Sequence, residues 1–384
     1  MAASHLEAAR ALAPRAAELA TEAERARRLP AELCGALADA GLYRLCVPAR
    51  LDGAEAPPRE LLEVVETLAE ADAATGWCVA VCATAGMLAA YVEPAAADEV
   101  FGDRGSIAGG VFAPSGRATE SGDRLEVSGR WRFASNVENC DWLMGGCLML
   151  EDGAPRRLAG GRPDVRLVLF PAAAVEVIDT WSVSGLRATG SHDMAVEELG
   201  VPSGRSASLI ADAPRERGPL YAFPPFGLLA ASIAAVGLGI ARGALDDLAG
   251  LAGAKTPTLS ARKLAERAGA QADAARAEAR LRAARSLLYA ATAEAWEAAQ
   301  AGGSIPLDRR VGLRLAATHA VESATVAVDT AQRLGGGSAI YESSPLERRF
   351  RDIHAATQHM LVGPATWELT GRTLLGLELD DSQL

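Results

Sequence analysis

Basic charge is in short supply in this sequence: 38 Lys and Arg stand against 49 Asp and Glu, a formal charge of −11. Nucleic-acid phosphate and anionic membrane both demand the opposite balance, so neither is expected as a partner. Six cysteines (Cys34, Cys46, Cys78, Cys82, Cys140, Cys147) include no CxxC pair, and no His or Cys cluster has the spacing of a zinc site. The expectation is therefore no metal site, and reduced, mostly buried thiols. Residues 1–28 lack the uninterrupted apolar core of a signal peptide. The apolar run at 228–241 is too short to span a bilayer. No internal repeat is present. A cytoplasmic protein without a membrane segment is expected, acting on a small molecule or a protein.

What is present is apolar material, 49% of 384 residues, enough for more than one unit with a buried core. Helical periodicity runs through 5–28, 30–40, 59–71 and 76–91. From about 106 to 202 the texture changes to short β-branched, alternating segments separated by Gly, Pro, Asp and Ser. Beyond 223 the chain turns Ala-rich and helical again, over 228–251, 259–301, 309–334 and a last helix near 367–376, the pattern of an up-and-down bundle. Mainly α with a middle β domain is the predicted class, divided as a helical unit (1–104), a β unit (105–210) and a four-helix bundle (211–384).

One stretch is more specific than texture. Ala331-Gln-Arg-Leu-Gly-Gly-Gly-Ser-Ala-Ile-Tyr-Glu-Ser-Ser-Pro-Leu-Glu-Arg-Arg-Phe-Arg-Asp-Ile resembles the AQxLGG…Y…PxERxxRD signature of acyl-CoA dehydrogenases, with one extra residue in the glycine run. Gly129-Arg-Trp-Arg-Phe-Ala-Ser-Asn resembles that family's GxKxW[IV][ST]N flavin segment, and Gly185-Leu-Arg-Ala-Thr-Gly-Ser-His-Asp with Val201-Pro202 its G[LM]R…VP strand pair. The resemblance covers nearly the whole chain. It implies an acyl-CoA dehydrogenase fold, with an N-terminal helical domain, a central β-barrel-like domain and a C-terminal four-helix bundle, assembled as a homotetramer. Fold alone does not give the reaction.

A dehydrogenase of this family needs a carboxylate to remove the α-proton of a thioester. In Arg351-Asp-Ile-His-Ala-Ala-Thr-Gln-His-Met-Leu-Val-Gly-Pro the glutamate position is Met360, and the alternative seat on the first bundle helix falls near Leu229. Both are empty of carboxylate. The same run resembles the branch of two-component flavin-dependent monooxygenases, typified by p-hydroxyphenylacetate hydroxylase oxygenase and dibenzothiophene monooxygenase, in which a histidine one residue earlier faces the flavin. Its counterpart is His359. On local sequence a core or capping histidine is the commoner outcome; the resemblance turns the assignment to catalysis, with a near-neutral imidazole acting on the substrate proton or a flavin hydroperoxide.

The resemblance further implies that Ser135 donates a hydrogen bond to the N5 and O4 edge of the flavin. Locally, a serine in a strand-end turn serves as well. Phe133 is expected to pack on the flavin ring and Asn136 to fix the turn, with Phe112 and Ala113 as further flavin contacts. Gln332 and the glycines Gly335, Gly336 and Gly337 are expected to approach a flavin phosphate, shared across a subunit interface. His354 is read as structural and His192 is left open. Where dehydrogenases carry an arginine-Gln-Phe element, this chain has Ala254-Lys255-Thr256-Pro257, which suits a flavin that arrives reduced and diffusing. After Gly76-Trp77 no second histidine follows, which points away from phenolate activation and toward an indole-type ring.

The expected activity is that of an oxygenase component, taking FADH2 or FMNH2 from a separate NAD(P)H-flavin reductase and adding O2 at flavin C4a. One oxygen atom then passes to a small aromatic substrate. A thioester dehydrogenase and a non-catalytic flavin-binding protein stand as alternatives.

Overall fold

The computed structural model describes residues 4–378 and 384. The first unit holds α1 (His5–Ala26), α2 (Ala31–Asp39), α3 (Pro58–Ala71), α4 (Ala73–Ala85) and α5 (Pro94–Phe101). Ser4 and Glu7 close a reciprocal cap at the start of α1. Asp72 caps α4, accepting the Thr75 N–H at 2.8 Å and its hydroxyl at 2.7 Å. Nearly every α4 side chain is buried, so this helix is walled in by the other units rather than lying on the surface.

The strands follow: β1 (Ala108–Ser121), β2 (Arg124–Ala134), β3 (Trp142–Glu151), β4 (Ala154–Pro155), β5 (Val165–Pro171), β6 (Glu176–Ile178), β7 (His192–Pro202) and β8 (Ser206–Ala207). They make one mixed sheet in the order β6-β7-β2-β1-β3-β5-β8, with β4 against β3. Among the described residues only β1 and β3 run parallel. Among the described residues this path is open at β6 and β8, where a barrel-like closure was expected. Trp131 of β2 is fully buried. Gly116, Gly129 and Gly145 make room for it, since a Cβ on any of them would stand 2.2–2.8 Å from the indole. That anchor fixes the end of β2, where the flavin-segment residues begin.

The last unit contains α6 (Pro219–Ala222), α7 (Pro225–Ala254), α8 (Ala268–Ala301), α9 (Leu307–Gly335), α10 (Pro345–Ala356) and α11 (Ala365–Leu374). Residues 259–267, expected to belong to the long second helix, form a loop and a single 3-10 turn (Leu264–Glu266), entered by a turn in which the Ser260 N–H donates to the Pro257 carbonyl at 3.0 Å. The apolar run at 228–241 is part of a 30-residue helix, long enough by itself to cross a bilayer. Its most apolar window is nevertheless 94% buried inside the protein, because α3, α4, α9 and α10 all pack around it.

Candidate active site

The three units meet at the N-terminal end of α4. Trp77, one turn into that helix and 8% exposed, donates its indole N–H to Ser135 Oγ at 3.0 Å. From Ser135 a file of buried hydroxyls continues: Ser135 to Ser191 at 2.7 Å, Ser191 to Thr189 at 2.6 Å, and Thr189 to the Leu186 carbonyl at 2.8 Å. Its direction follows by elimination. A carbonyl has no proton, so Thr189 donates to Leu186; each hydroxyl has one proton, so Ser191 donates to Thr189 and Ser135 to Ser191. The Ser135 amide is committed as well, to the Phe133 carbonyl at 2.9 Å. The donor role expected of Ser135 is therefore revised: its hydroxyl proton is taken by Ser191, and what Oγ retains for a ligand is a lone pair.

On its other side Trp77 meets His359, ring centroids 5.7 Å apart and 73° between planes. His359 does not continue α10. That helix stops at Ala356, and His359 caps the following single turn, its Nδ1 facing the Leu361 N–H at 3.4 Å. This leaves Nε2 to carry the proton. Burial, reinforced by the nearby Arg314 guanidinium, lowers the His359 pKa to about 4. The imidazole is thus neutral at physiological pH, where a group titrating near neutrality was expected. Arg314 is itself buried, donates to the Leu361 carbonyl at 3.2 Å, and is lowered to about 10 by desolvation. Sequence reasoning missed it, because nothing local marks a mid-helix arginine as internal.

Phe133 sits at φ 67° and is 67% exposed, its ring set edge-on to Trp181 at 6.2 Å. His192 holds the Trp181 segment: its Nδ1 accepts the N–H groups of Thr180 and Trp181, both at 3.2 Å. His192 therefore shapes the aromatic corner from behind. Asn136 turns inward at φ 61°; its amide N–H reaches the Thr189 carbonyl at 2.7 Å and its side chain accepts from Asn139 at 2.9 Å. It fixes the turn and faces the interior.

The glycine run lies apart from this corner in the same subunit. Lys255 Nζ donates to the Gly335 carbonyl at 2.5 Å, so the segment standing where dehydrogenases carry their arginine-Gln-Phe element is brought onto the glycine loop. Gly336 has φ 53°, and a Cβ on Gly337 would meet nothing within 4 Å. Gln332 donates to the Ala339 carbonyl at 3.0 Å while its Oε1, buried, has no hydrogen-bond partner among the described residues. Beside the loop, Leu334 lines a cavity of about 450 Å³ with Leu248, Ala252 and Leu264.

A narrow apolar pocket between the units is lined by Thr84, Met87, Leu88, Phe112, Leu209 and Leu229. Phe112 and Leu229, assigned separately in sequence, thus share one wall. Next to Phe112, Ala113 lies against Gly146, whose Cβ would meet both their carbonyls at 2.3–2.6 Å. Met360 is 64% exposed, so neither dehydrogenase base position carries a carboxylate. His354 lies outside the site, exposed, pairing with Asp329 at 3.0 Å and set edge-on to Phe350.

These residues fit a flavin. Phe133 stands exposed with Trp181 edge-on beside it, Ser135 Oγ keeps one lone pair unused, and the glycine loop offers a lysine ammonium with Gln332 an unsatisfied buried acceptor. Comparison with known proteins agrees. Residues 4–100 match the acyl-CoA dehydrogenase N-terminal domain and residues 231–364 the acyl-CoA dehydrogenase C-terminal domain. The chain is 34% identical over 362 residues to indole-3-acetate monooxygenase of Pseudomonas putida, covering 92% of this chain and 89% of that one. It is 27% identical to the flavin-dependent monooxygenase, oxygenase subunit HsaA, of Rhodococcus jostii, covering 97% and 99%. XiaF from a Streptomyces species, solved in complex with FADH2 and glycerol, is similar with a TM-score of 0.89 at 27% identity, over 97% of this chain and 95% of that one.

Proposed function

The chain belongs to the acyl-CoA dehydrogenase family, and from that premise we propose an oxygenase component that uses reduced flavin and O2 to oxygenate a small heteroaromatic, indole-type substrate. The observation that carries this is the neutral His359 against Trp77, one residue before Met360, the position where a dehydrogenase would need a carboxylate. Bound reduced flavin supplies the electrons and the reaction with O2. The protein's part is to hold, orient and dry the site. Phe133 and Trp181 would flank the ring, Ser135 its N5 edge, and Lys255 with the glycine run a phosphate. The cleft of Thr84, Met87, Phe112 and Leu229 holds only about 10 Å³, so these apolar side chains would have to part to admit a flat ring, which they would then shield from water. His359 Nε2–H would donate to the oxygen being transferred.

The similarity to an indole-3-acetate monooxygenase and the absence of a second histidine after Trp77 both favour an indole ring over a phenol. FADH2 is preferred to FMNH2, because the cavity beside Leu334 has room for a nucleoside. A separate NAD(P)H-dependent reductase would supply it, in the cytoplasm and away from any membrane, to a homotetramer. Ile340 and Tyr341, 71% and 65% exposed next to the glycine run, suit a subunit contact. Light scattering should give the tetramer mass, and a monomer that still binds flavin would remove the shared-site argument.

The test is steady-state turnover with an unrelated flavin reductase, NADH, FAD and a panel of indoles, phenols and acyl-CoA thioesters. Oxygenated indole is expected, with NADH use tracking product. Oxidation of a thioester, or peroxide alone with every aromatic, would overturn the reading.

A further inference from the structure

The hydroxyl file behind Ser135 has a consequence for which redox state of the flavin the site prefers. Oxidised flavin presents N5 as a bare acceptor, whereas reduced flavin presents N5–H as a donor. Ser135 Oγ accepts from Trp77 Nε1 and gives its only proton to Ser191, which leaves one lone pair and no proton for a ligand. An indole N–H cannot reverse, so the Trp77 end is fixed. Thr189 is fixed at the other end only by its bond to the Leu186 carbonyl.

We propose that Thr189 and Ser191 are positioning residues that hold Ser135 as a hydrogen-bond acceptor, so that the site selects flavin whose N5 carries a hydrogen. The inference rests on the reading that flavin N5 lies at Ser135. To meet oxidised flavin, the file would have to run backwards, with Thr189 donating to Ser191, Ser191 to Ser135, and Ser135 to N5. That reversal breaks the Thr189 to Leu186 bond. The Leu186 carbonyl keeps the Trp181 indole N–H at 3.1 Å and the Thr189 amide at 3.1 Å, so the loss is one ordinary hydrogen bond and leaves no orphaned group. The expected preference for reduced flavin from this device is about tenfold, roughly 1.4 kcal/mol. Between oxidised and reduced bound flavin it amounts to about 30 mV for a two-electron couple.

Each substitution along the file has its own signature. Thr189→Val removes the terminal donor and the acceptor for Ser191, so Ser191 turns its proton to Ser135 and frees the Ser135 proton for N5. Ser191→Ala frees the same proton directly. Thr189→Ser keeps the hydroxyl and is the conservative control. A residue that only supported the fold would weaken both redox forms alike and leave their ratio unmoved.

The experiment is anaerobic titration of the full-length protein with oxidised FAD and with dithionite-reduced FAD, followed by the midpoint potential of the bound flavin. Wild type and Thr189→Ser are expected to favour the reduced form. Thr189→Val and Ser191→Ala should lower the reduced-to-oxidised affinity ratio about tenfold, with a fall of about 30 mV in the bound potential. Both forms binding with an unchanged ratio in Ser191→Ala and Thr189→Val would overturn the inference while sparing the flavin site. Equal affinity for the two forms in wild type would overturn it without any variant. No binding of either form would sink the flavin reading and the inference together.

Discussion

His359 works as a neutral imidazole, and this sets the pH behaviour to look for. Its folded pKa of about 4 lies below the ordinary 6.5. The unfolded chain takes up this proton as pH falls through about 6.5, the folded chain only near 4. Stability from the half-buried neutral ring is therefore complete above about 6.5 and drains away as pH falls from there toward 4. Coupled turnover should be flat with respect to this group from about pH 6 to 8 and fall toward pH 4. Replacing His359 with Ala should lower coupled turnover about a hundredfold, move the lost flux into H2O2, and leave substrate affinity nearly alone. Stopped-flow product yields against pH for the two proteins decide the matter. A variant within a factor of about three of wild type, or an inflection near 6.5 that vanishes with the histidine, would contradict the neutral-donor role.

At this scale the sequence was informative about identity and silent about state. The motif after Asp352 picks out His359, yet its depressed basicity comes from burial, with Trp77 packed against the ring, and from the charge of Arg314, hundreds and tens of positions away in the chain. Ser135 was legible in the flavin segment. The sense of its hydrogen bond was not, because that is decided by Thr189 and Leu186 across the fold.

Elements were readable where periodicity was long. The cores of α1, α3, α7 and α9 follow from apolar spacing alone. The break between Ala356 and His359 does not, and it matters more: on a continuous helix His354 and His359 would share a rigid frame, whereas here His354 stays on α10 and His359 swings onto the next turn. What seats α10 against the β unit is backbone contact. Asp352, buried and raised to about 7 by desolvation, accepts the Leu186 N–H at 2.6 Å, and Arg351 reaches the Ser184 carbonyl at 2.7 Å. Between them Gly185 touches α10 so closely that a Cβ would lie 2.0 Å from the Arg351 carbonyl oxygen. Gly185→Ala should thus part this seam, with a loss of about 2 kcal/mol or more. Differential scanning calorimetry should register a drop of several degrees, and an unchanged Tm would mean the seam yields freely.

For the molecule as a whole, the helix, sheet, helix order and the bundle were visible in composition, and the family signature gave the rest. Hidden from sequence was the joining of the three units by one polar file, from Trp77 of the first through Ser135, Ser191 and Thr189 of the second to Leu186, which Asp352 of the third holds from its other side. Such a buried, directional network is worth more to the ordering of a site than to net stability. It makes the flavin edge a product of the whole fold rather than of any one motif. The most direct test of the account is a single turnover: protein preloaded anaerobically with FADH2 and an indole substrate, mixed with 18O2, and the product examined by mass spectrometry. One 18O atom per product molecule, in yield close to the flavin supplied, is the predicted result. Unlabelled product, or quantitative H2O2 with the indole untouched, would contradict it.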